Sequence, residues 1–364
     1  MALQKIPGRA IQLDSQENSD VMYFDGTDWV RLEKGEAGDV LTVNEDATAP
    51  QWGPACLFTG TQRGYACGGH LGSSGGHSNA INKFSLVTDG NATDIGDLIT
   101  VAGKRFPSGH SSTTHGYVSG GNTGPSVSYD IIERFSFTTD GDATDWADLI
   151  SARTRLAPVS SCTHGFTLGG GDETNSANTI DAIQKFPFAS QTNATDWADA
   201  TTRKFAGAGC SSETRGYALG GTQHSPPSAP AINVIENFPY ATQTNATDVG
   251  DLTIVRHSAA GISSETHGYA AGGHGYQSGP TDHNVIDRVS FATGVQNATD
   301  HGDLATAKIH PAGSSSETHG YTVGGLTGAT VQSTIEKFAY SSNVTATEVG
   351  DILVAVDGMS GHQF

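Results

Sequence analysis

Thr266-His267-Gly268-Tyr269-Ala270-Ala271-Gly272-Gly273 is the clearest copy of a phrase that recurs along this chain of 364 residues. Related phrases occupy residues 114–121, 163–170, 214–221, 318–325 and, more loosely, 62–69. The first glycine of each closing pair lies at position 68, 120, 169, 220, 272 or 324, so the spacing is 49 to 52 residues. A period of about fifty residues is typical of a repeat array, and the chain is therefore predicted to contain six copies of one unit.

Each unit reads as four short strands, named A to D in chain order. In residues 256–305, strand A covers 258–264, strand B 269–273, strand C 284–291 and strand D the region around 303–305. Apolar residues alternate in strand C, and an Asn-Ala-Thr-Asp turn separates C from D. Four such strands cannot bury their faces alone, so neighbouring units are expected to pack against one another.

The glycine pair that ends strand B, and Arg256-His257-Ser258-Ala259-Ala260 at the start of strand A, resemble kelch repeats. This resemblance implies a β-propeller in which each repeat forms one blade. The Trp that usually precedes strand D occurs only as Trp146 and Trp197, which is a departure from the kelch pattern. The predicted fold is all-β: a six-bladed, kelch-like β-propeller of four-stranded blades over residues 54–364, preceded by a small β-rich segment over residues 1–53.

Two segments compete to close the predicted ring. The A strands are predicted near 54–60, 106–112, 155–161, 206–212, 258–264 and 310–316. Residues 358–364, at the C-terminal end, align equally well with strand A. Closure by either segment would remove the unpaired edge that an open sheet presents.

Residues 1–53 lie outside the repeats. Residues 21–32 predict a hairpin around Asp25-Gly26, a strong turn dipeptide. The pattern Tyr23-x-Asp25-Gly26-x-x-Trp29-x-Arg31-Leu32, followed by Val40-Leu41-Thr42 and Ala49-Pro50-x-Trp52, resembles a segment near the N terminus of many bacteriophage tail-fibre and virion appendage proteins. The resemblance implies that residues 1–53 attach the chain to other virion proteins and support a homo-oligomer, which in such appendages is often a trimer.

Composition excludes some classes of function. The formal net charge of −19 argues against a nucleic-acid-binding protein, which would need a basic stripe. No run approaches the roughly 18 apolar residues of a membrane span, and the N terminus lacks an apolar signal region. The four cysteines are expected to be small buried or half-buried residues. The expected location is the virion, after assembly in the host cytoplasm.

The B–C loops differ from one another although the turns repeat, and variable loops on a rigid scaffold commonly bind ligands. Tyr129, Tyr276 and His274 are the candidate ligand-binding residues of these loops. The D–A connections carry cations at an equivalent position, replaced by Val356 in the last copy: Lys104, Arg153, Lys204, Arg256 and Lys308. These cations predict either an anion or sugar-acid site near the axis, or salt bridges to acids such as Asp97, Asp148, Asp199, Asp251, Asp303 and Asp351.

No arrangement of residues indicates catalysis, a cofactor or a metal ion. His115, His164, His267 and His319 recur at the A–B turn, but arginine replaces histidine in two copies, as expected for turn-forming residues. The predicted function is a non-enzymatic phage virion appendage that recognises a host-surface glycan or receptor through the propeller loops. A purely structural decoration or adaptor protein is the main alternative, and a polysaccharide-degrading spike is a weaker one.

Overall fold

The computed structural model describes residues 20–35, 39–43, 49–54, 60, 62–72, 75–100, 102–124, 127–171, 179–223, 230–275, 281–292, 294 and 296–363. Strands, turns and bends account for these residues, and no α-helix occurs among them. The chain divides into two compact units, Met1–Cys56 and Leu57–Phe364. Within the described ranges, no helix is long and apolar enough to cross a lipid bilayer.

Two hairpins form the described part of the first unit. They pair β1 (Val21–Phe24) with β2 (Trp29–Leu32), and β3 (Asp39–Val43) with β4 (Pro50–Pro54). In the first hairpin, the Asp25 carboxylate accepts hydrogen bonds from the backbone N–H groups of Thr27 and Asp28, both at 2.8 Å. An aspartate that satisfies its own turn in this way stabilises a tight reversal. The predicted hairpin around Asp25-Gly26 is confirmed.

The second unit is a six-bladed β-propeller whose blades are antiparallel sheets in the strand order A–B–C–D. The A strands, which lie against one another around the axis, are β8 (Ser108–Ser111), β12 (Ala157–Ser160), β17 (Ala208–Ser211), β21 (Ala260–Ser263), β27 (Ala312–Ser315) and β33 (Ser360–Gln363). The B strands are β5 (Arg63–Cys67), β9 (His115–Ser119), β13 (His164–Leu168), β18 (Arg215–Gln223), β22 (His267–Ala271) and β28 (His319–Val323).

The C strands are β6 (Ala80–Ser85), β10 (Ile131–Ser136), β14 (Ala182–Pro187), β19 (Ala231–Pro239), β25 (Val285–Ser290) and β31 (Thr334–Ala339). The D strands are β7 (Thr93–Asp97), β11 (Thr144–Asp148), β15 (Thr195–Asp199), β20 (Thr247–Asp251), β26 (Thr299–Asp303) and β32 (Thr347–Asp351). Short strands in the connections are β16 (Lys204–Phe205), β23 (His274–Gly275), β24 (Thr281–Asp282), β29 (Leu326–Thr327) and β30 (Thr330–Val331).

The C-terminal strand closes the ring. Blade 1 combines β33 with β5, β6 and β7, whereas blades 2 to 6 are each continuous in sequence. β33 pairs with β5 from Ser360 opposite Cys67 to Gln363 opposite Gly64. The strand A predicted near 54–60 does not fill this place, because β33 occupies the edge of β5. Residues 50–54 pair in the first unit, and residues 55–59 lie outside the described residues.

The recurring phrase is explained by packing within and between blades. In blade 2 a Cβ atom at Gly116 would lie 2.3 Å from the Phe135 ring, so only glycine lets strands B and C approach there. The next residue, Tyr117, stacks on Phe188 of blade 3 at 4.6 Å between ring centroids, and its hydroxyl donates to the Phe188 carbonyl oxygen at 3.2 Å. Such stacked aromatic pairs bury large apolar areas and fix the angle between neighbours.

Glycine also sets the spacing around the axis. A Cβ atom at Gly261 of blade 5 would lie 2.1 Å from the backbone oxygen of Gly209 in blade 4, and Gly313 and Gly361 are in equivalent contacts. Such distances are shorter than any real contact, so a side chain is excluded at these three glycines. Five of the six A strands have glycine at this level, and blade 3 has Pro158.

The Asn-Ala-Thr turns join neighbouring blades. The Asn193 side chain of blade 3 accepts the Asp148 N–H of blade 2 at 3.1 Å and donates to the Asp148 carboxylate at 3.3 Å. Asn245 makes the same two bonds with Asp199 of the preceding blade. In all six blades the alanine of this turn donates its N–H to the preceding blade, also where Asp142 or Thr345 replaces the asparagine. These alanines are Ala92, Ala143, Ala194, Ala246, Ala298 and Ala346. These turns therefore serve as links that repeat around the whole ring.

The cysteines follow the expectation only in part. Cys67 and Cys210 are free and buried, and burial is the main reason that the Cys210 thiol has its pKa raised to about 12. Cys162 is half-buried as expected, but it is disulfide-bonded, which the spacing of the cysteines did not indicate. Cys56 lies outside the described residues.

Candidate functional site: the axial mouth of the upper face

The face that carries the B–C and D–A connections is called the upper face, and the face with the A–B and C–D turns the lower face. In every blade, one residue of the D–A connection pairs in antiparallel fashion with the residue that directly follows the Gly-Gly pair. These pairs are Arg105–Asn122, Thr154–Gly171, Phe205–Thr222, His257–His274, Ile309–Leu326 and Asp357–His70. The backbone pairing is the same in all six blades, whereas the paired residues differ. The upper face therefore presents different side chains on a repeated backbone.

A closed ring of backbone hydrogen bonds surrounds the axis directly beside these bridges. Its members, called the axial ring, are Phe106, Arg155, Ala206, Ser258, His310 and Gly358. Each donates its N–H to the carbonyl oxygen of the equivalent residue in the preceding blade, at 2.7 to 3.1 Å. The last of these bonds runs from Phe106 to Gly358, so the C-terminal segment completes the axial ring as well as blade 1.

The axial ring holds five side-chain-bearing residues in a backbone conformation that favours glycine. Their φ angles lie between 54° and 58°, and Gly358 has 67°. Each non-glycine residue in the left-handed region costs roughly 1–3 kcal/mol, and such strain is concentrated at functional sites. Gly358 shows that glycine fits the ring. The large side chains of Phe106, Arg155 and His310 are therefore present at a cost to stability.

These three large side chains meet in one cluster. The Phe106 and His310 rings meet edge to face at 4.6 Å across Gly358. The guanidinium carbon of Arg155 lies 4.2 Å from the Phe106 ring centroid, and that of Arg105, the preceding residue, lies 5.1 Å from it. Stacking on an aromatic face stabilises a guanidinium through cation–π attraction. Phe106 thus holds two arginine head groups at the axial mouth.

Asp357 lies between two histidines at the edge of this cluster. Its carboxylate oxygens are 3.1 Å from His70 Nδ1 and 3.2 Å from His310 Nδ1, and its side chain is 5% exposed. Burial would raise the pKa of Asp357, but its bonds to His310 and His70 outweigh burial and hold the pKa below its usual value. Burial lowers the pKa of His310 against the opposing effect of Asp357. We call Arg105, Phe106, Arg155, His310, Asp357 and His70 the mouth cluster.

Four of the five cations predicted as ligand-binding residues lie in ion pairs inside their blades. The nitrogen–oxygen distances are 2.8 Å for Lys104–Glu133, 2.6 Å for Lys204–Glu236, 2.7 Å for Arg256–Asp287 and 2.6 Å for Lys308–Glu336. The eight side chains are at most 2% exposed. We therefore assign these four cations to internal ion pairs and leave them out of the candidate site.

The acids of these pairs stand on strand C and not among the aspartates near strand D that the sequence suggested. They also bond the end of the preceding blade: the Glu133 carboxylate accepts hydrogen bonds from the Thr100 hydroxyl at 2.8 Å and the Ile99 N–H at 3.2 Å. In blade 3 the position is Gln184, whose oxygen accepts the Ile150 N–H at 2.8 Å. Arg153, the fifth predicted cation, is partly exposed there.

The hydrogen bonds described for the candidate residues of the B–C loops are made with residues outside the mouth cluster. Tyr129 shares a 3.0 Å hydrogen bond with the Thr123 hydroxyl, and Lys104 Nζ lies 5.9 Å from its ring. His274 Nδ1 is 2.8 Å from the Asp282 carboxylate, and its ring is 5.5 Å from that of His257. Tyr276 lies outside the described residues. His274 is thus engaged within its own loop.

The lower-face histidines take part in local turns. The rings of His115, His164, His267 and His319 each lie 2.8 Å from the hydroxyl of the preceding threonine. Their backbone N–H groups donate to a serine at the end of strand A, all at 3.0 Å. Among the residues that the structure describes, no group of three or more His, Cys, Asp or Glu side chains is arranged to hold a metal ion.

Sequence reasoning missed Arg105, Arg155, Phe106 and His310, although a signal was available. The position of Lys104 and its equivalents, including Val356, is followed by two residues that change from copy to copy: Arg-Phe, Thr-Arg, Phe-Ala, His-Ser, Ile-His and Asp-Gly. The prediction considered variability only in the B–C loops. The residues that follow the constant cation carry the same kind of signal.

No protein-family model matches this chain, and comparison with curated proteins finds no match.

Proposed function

We propose that this protein is a phage virion appendage of the tail-fibre type. In this proposal the N-terminal unit attaches to other virion proteins, and the upper face of the propeller recognises a glycan or receptor on the host surface without catalysis. A purely structural decoration or adaptor protein is the alternative, and a polysaccharide-degrading spike is the weaker one.

The observation that carries the proposal is the contrast between scaffold and upper face. Six blades repeat the same turns, inter-blade links and axial ring, while the six upper-face pairs all differ. A symmetric scaffold needs no such variety for its own stability. Varied residues on a rigid frame are the arrangement that binding surfaces use.

The path of the chain agrees with this orientation. Gly60 donates its N–H to the Ser315 carbonyl oxygen at 2.8 Å, at the end of an A strand, and β5 then starts beside an A–B turn. The chain therefore enters the propeller at the lower face. The upper face is the opposite face of the propeller from this point of entry.

Two features of the first unit support an attachment role. The spaced aromatic and glycine residues of positions 23–52 resemble the N-terminal segment of virion appendages, as described above. The side chains of Phe24 and Trp29 are 54% and 47% exposed, and their ring centroids lie 5.8 Å apart. Adjacent exposed aromatics are enriched at protein interfaces. We propose that this hairpin contributes to attachment or to a homo-oligomer.

The kelch kinship is part of the proposal as well. The Gly-Gly ending of strand B and the four-strand unit are consistent with a kelch-like origin of the blades. The non-enzymatic part of the proposal is supported by the use of four strand-C acids in buried ion pairs, where they hold the blades together.

Adsorption to host cells tests the proposal. The full chain, labelled with a fluorophore, is expected to bind susceptible cells and to compete with the intact particle. Arg105→Glu on the upper face should weaken adsorption at least fivefold, whereas Arg63→Glu, the same charge reversal at a lower-face turn, should not. Failure of the full chain to bind any susceptible host, with particle assembly still dependent on the protein, would favour the structural alternative.

A further inference from the structure

One link between neighbouring blades differs from its equivalents in a way that makes it sensitive to acid. We infer that the junction of blades 1 and 2 tightens at low pH, because Asp97 and Asp142 complete their link only when one of the two carboxyl groups carries a proton. The inference concerns a device built into the ring and does not rest on the proposed function.

Four of the six junctions contain an asparagine link of one kind. The asparagine Oδ1 accepts the N–H of the aspartate that ends strand D of the preceding blade, at 3.0 to 3.1 Å. The pairs are Asn193–Asp148, Asn245–Asp199, Asn297–Asp251 and Asn91–Asp351. In the first two pairs, the asparagine Nδ2 also donates to the aspartate carboxylate at 3.3 Å. The amide thus supplies a donor to the carboxylate that it faces.

At the junction of blades 1 and 2, Asp142 stands in the place of this asparagine. Asp142 Oδ1 accepts the Asp97 N–H at 3.0 Å, so the backbone half of the link is kept. An ionised carboxylate only accepts hydrogen bonds and has no group to replace Nδ2. Two ionised carboxylates here repel each other, whereas a protonated carboxyl group can donate to an ionised one. One proton therefore replaces the donor that the amide supplies in the other junctions.

The charged groups around the pair do not replace that donor. Asp94, on the same strand as Asp97, is a further acid, and its carboxylate accepts the Gly96 N–H at 3.1 Å. The cations of this junction are bonded to other acids, since Lys83 Nζ lies 2.5 Å from Asp140 Oδ1 and Lys104 is paired with Glu133. Within the described ranges, no cation forms an ion pair with Asp97 or Asp142. The pair therefore depends on its own proton.

The sign of the pH effect follows from the surroundings of Asp97. Burial, Asp94 and Asp142, in that order, raise the pKa of Asp97 above its usual value. A carboxyl group whose pKa is higher in the folded chain than in the unfolded chain stabilises the fold at low pH, and this contribution is lost as the pH rises through the raised value. The link should therefore be strongest below about pH 4, the ordinary pKa of an aspartate, and weakest at neutral pH.

Thermal unfolding of the full chain at pH 4 and pH 7 tests the inference. Each variant is compared with the wild type at the same pH, so that the contributions of other titrating groups cancel. Asp142→Asn copies the link of the other junctions and should raise the melting temperature at pH 7 by roughly 1–3 °C. At pH 4 the gain should be less than half as large. Asp97→Asn places the amide on the opposite side and should behave in the same way.

Asn193→Asp is the matched control, because it creates the same acid pair opposite Asp148 in the junction of blades 2 and 3. This variant should melt below the wild type at pH 7 and regain at least half of the difference at pH 4. Asn193→Ala removes the amide without adding a charge, so its loss should be similar at both pH values. A recovery at pH 4 as large in Asn193→Ala as in Asn193→Asp would contradict the role of the proton.

Three further outcomes would overturn the inference. Asp142→Asn and Asp97→Asn could both melt like the wild type at pH 7, or their gain could be as large at pH 4 as at pH 7. Calcium chloride at pH 7 could raise the melting temperature of the wild type but not that of Asp142→Asn, which would show that a divalent cation joins the two carboxylates in place of a proton. If one of the two asparagine variants does not fold, the other carries the same test.

Discussion

His362 Nδ1 lies 3.0 Å from the backbone carbonyl oxygen of His110, and this bond joins the last strand of the chain to the A strand of blade 2. The other ring nitrogen of His362 lies 3.0 Å from the Ser360 hydroxyl, and the ring is fully buried. His110 repeats the arrangement with the Val159 carbonyl oxygen at 3.1 Å and the Ser119 hydroxyl at 3.0 Å. Both imidazoles therefore contribute to ring closure in their neutral form.

Ring closure is expected to weaken as the pH falls. Burial is the main cause of the low pKa of His362, about 4, and of His110, about 3. Below the unfolded pKa of roughly 6.5, the unfolded chain takes up protons that the folded chain does not, so the unfolding free energy falls with pH. The loss should be roughly 1 kcal/mol per pH unit for each histidine between about pH 6 and pH 4.5. Melting temperatures at pH 7 and pH 5 measure it.

The variant His362→Gln serves as the control for this pH effect. It should be less stable than the wild type at pH 7 but should show a smaller loss of melting temperature between pH 7 and pH 5. An identical pH dependence in the two proteins would show that His362 does not contribute to it.

Replacing both residues of the buried pair Lys308–Glu336 is expected to lower the unfolding free energy less than the two single substitutions do together. Lys308→Val or Glu336→Asn alone leaves one buried charge without its partner, which typically costs 3–5 kcal/mol. The double variant Lys308→Val with Glu336→Asn copies blade 1, where Val356 and Asn82 occupy these positions. It should be less destabilised than the sum of the two single variants by roughly 2 kcal/mol or more. Chemical denaturation of all four proteins measures this coupling, and additive effects would contradict it.

Gly261→Ala should destabilise the axis of the propeller. The added methyl group would lie 2.1 Å from the Gly209 carbonyl oxygen, a backbone atom that cannot move without shifting an A strand. Overpacking of this kind typically costs about 1–3 kcal/mol. Gly171→Ala is the matched control, since its nearest neighbour is the Phe205 side chain at 3.9 Å, an ordinary contact. A comparable fall in melting temperature for both variants would argue against a special role for the axial glycines.

A chain that ends at Asp357 should fail to form the closed ring. It lacks β33 and Gly358, so β5, which contains the buried Tyr65, loses its partner strand and becomes an open edge of the sheet. An exposed hydrophobic edge promotes intermolecular pairing, and the truncated chain should therefore aggregate in size-exclusion chromatography. Addition of a synthetic peptide of residues 356–364 should restore the elution volume of the full chain. A truncated chain that keeps the elution volume and the melting temperature of the full chain would show that β33 is dispensable.

The sequence by itself determined the repeat unit, the strand order and the number of blades. The spacing of the glycine pairs is enough for this, because Gly116 and Tyr117 and their equivalents are required locally, by strand packing within a blade and by stacking on the next one. It also indicated that the upper face carries the variation, since the B–C loops differ from one another within one chain.

Only the tertiary structure decided which segment closes the ring, because the repeat pattern allowed both residues 54–60 and residues 358–364 as strand A, and the long-range pairing of β33 with β5 selects the second. It also separated Lys104 from Arg105. The two are adjacent cations in the sequence, but Lys104 is buried against Glu133, whereas Arg105 lies over Phe106 at the axis. Phe106, Arg155 and His310 are far apart in sequence, and a ring of long-range backbone hydrogen bonds brings them together. No local sequence pattern predicts these contacts, since they form only when six blades close around one axis.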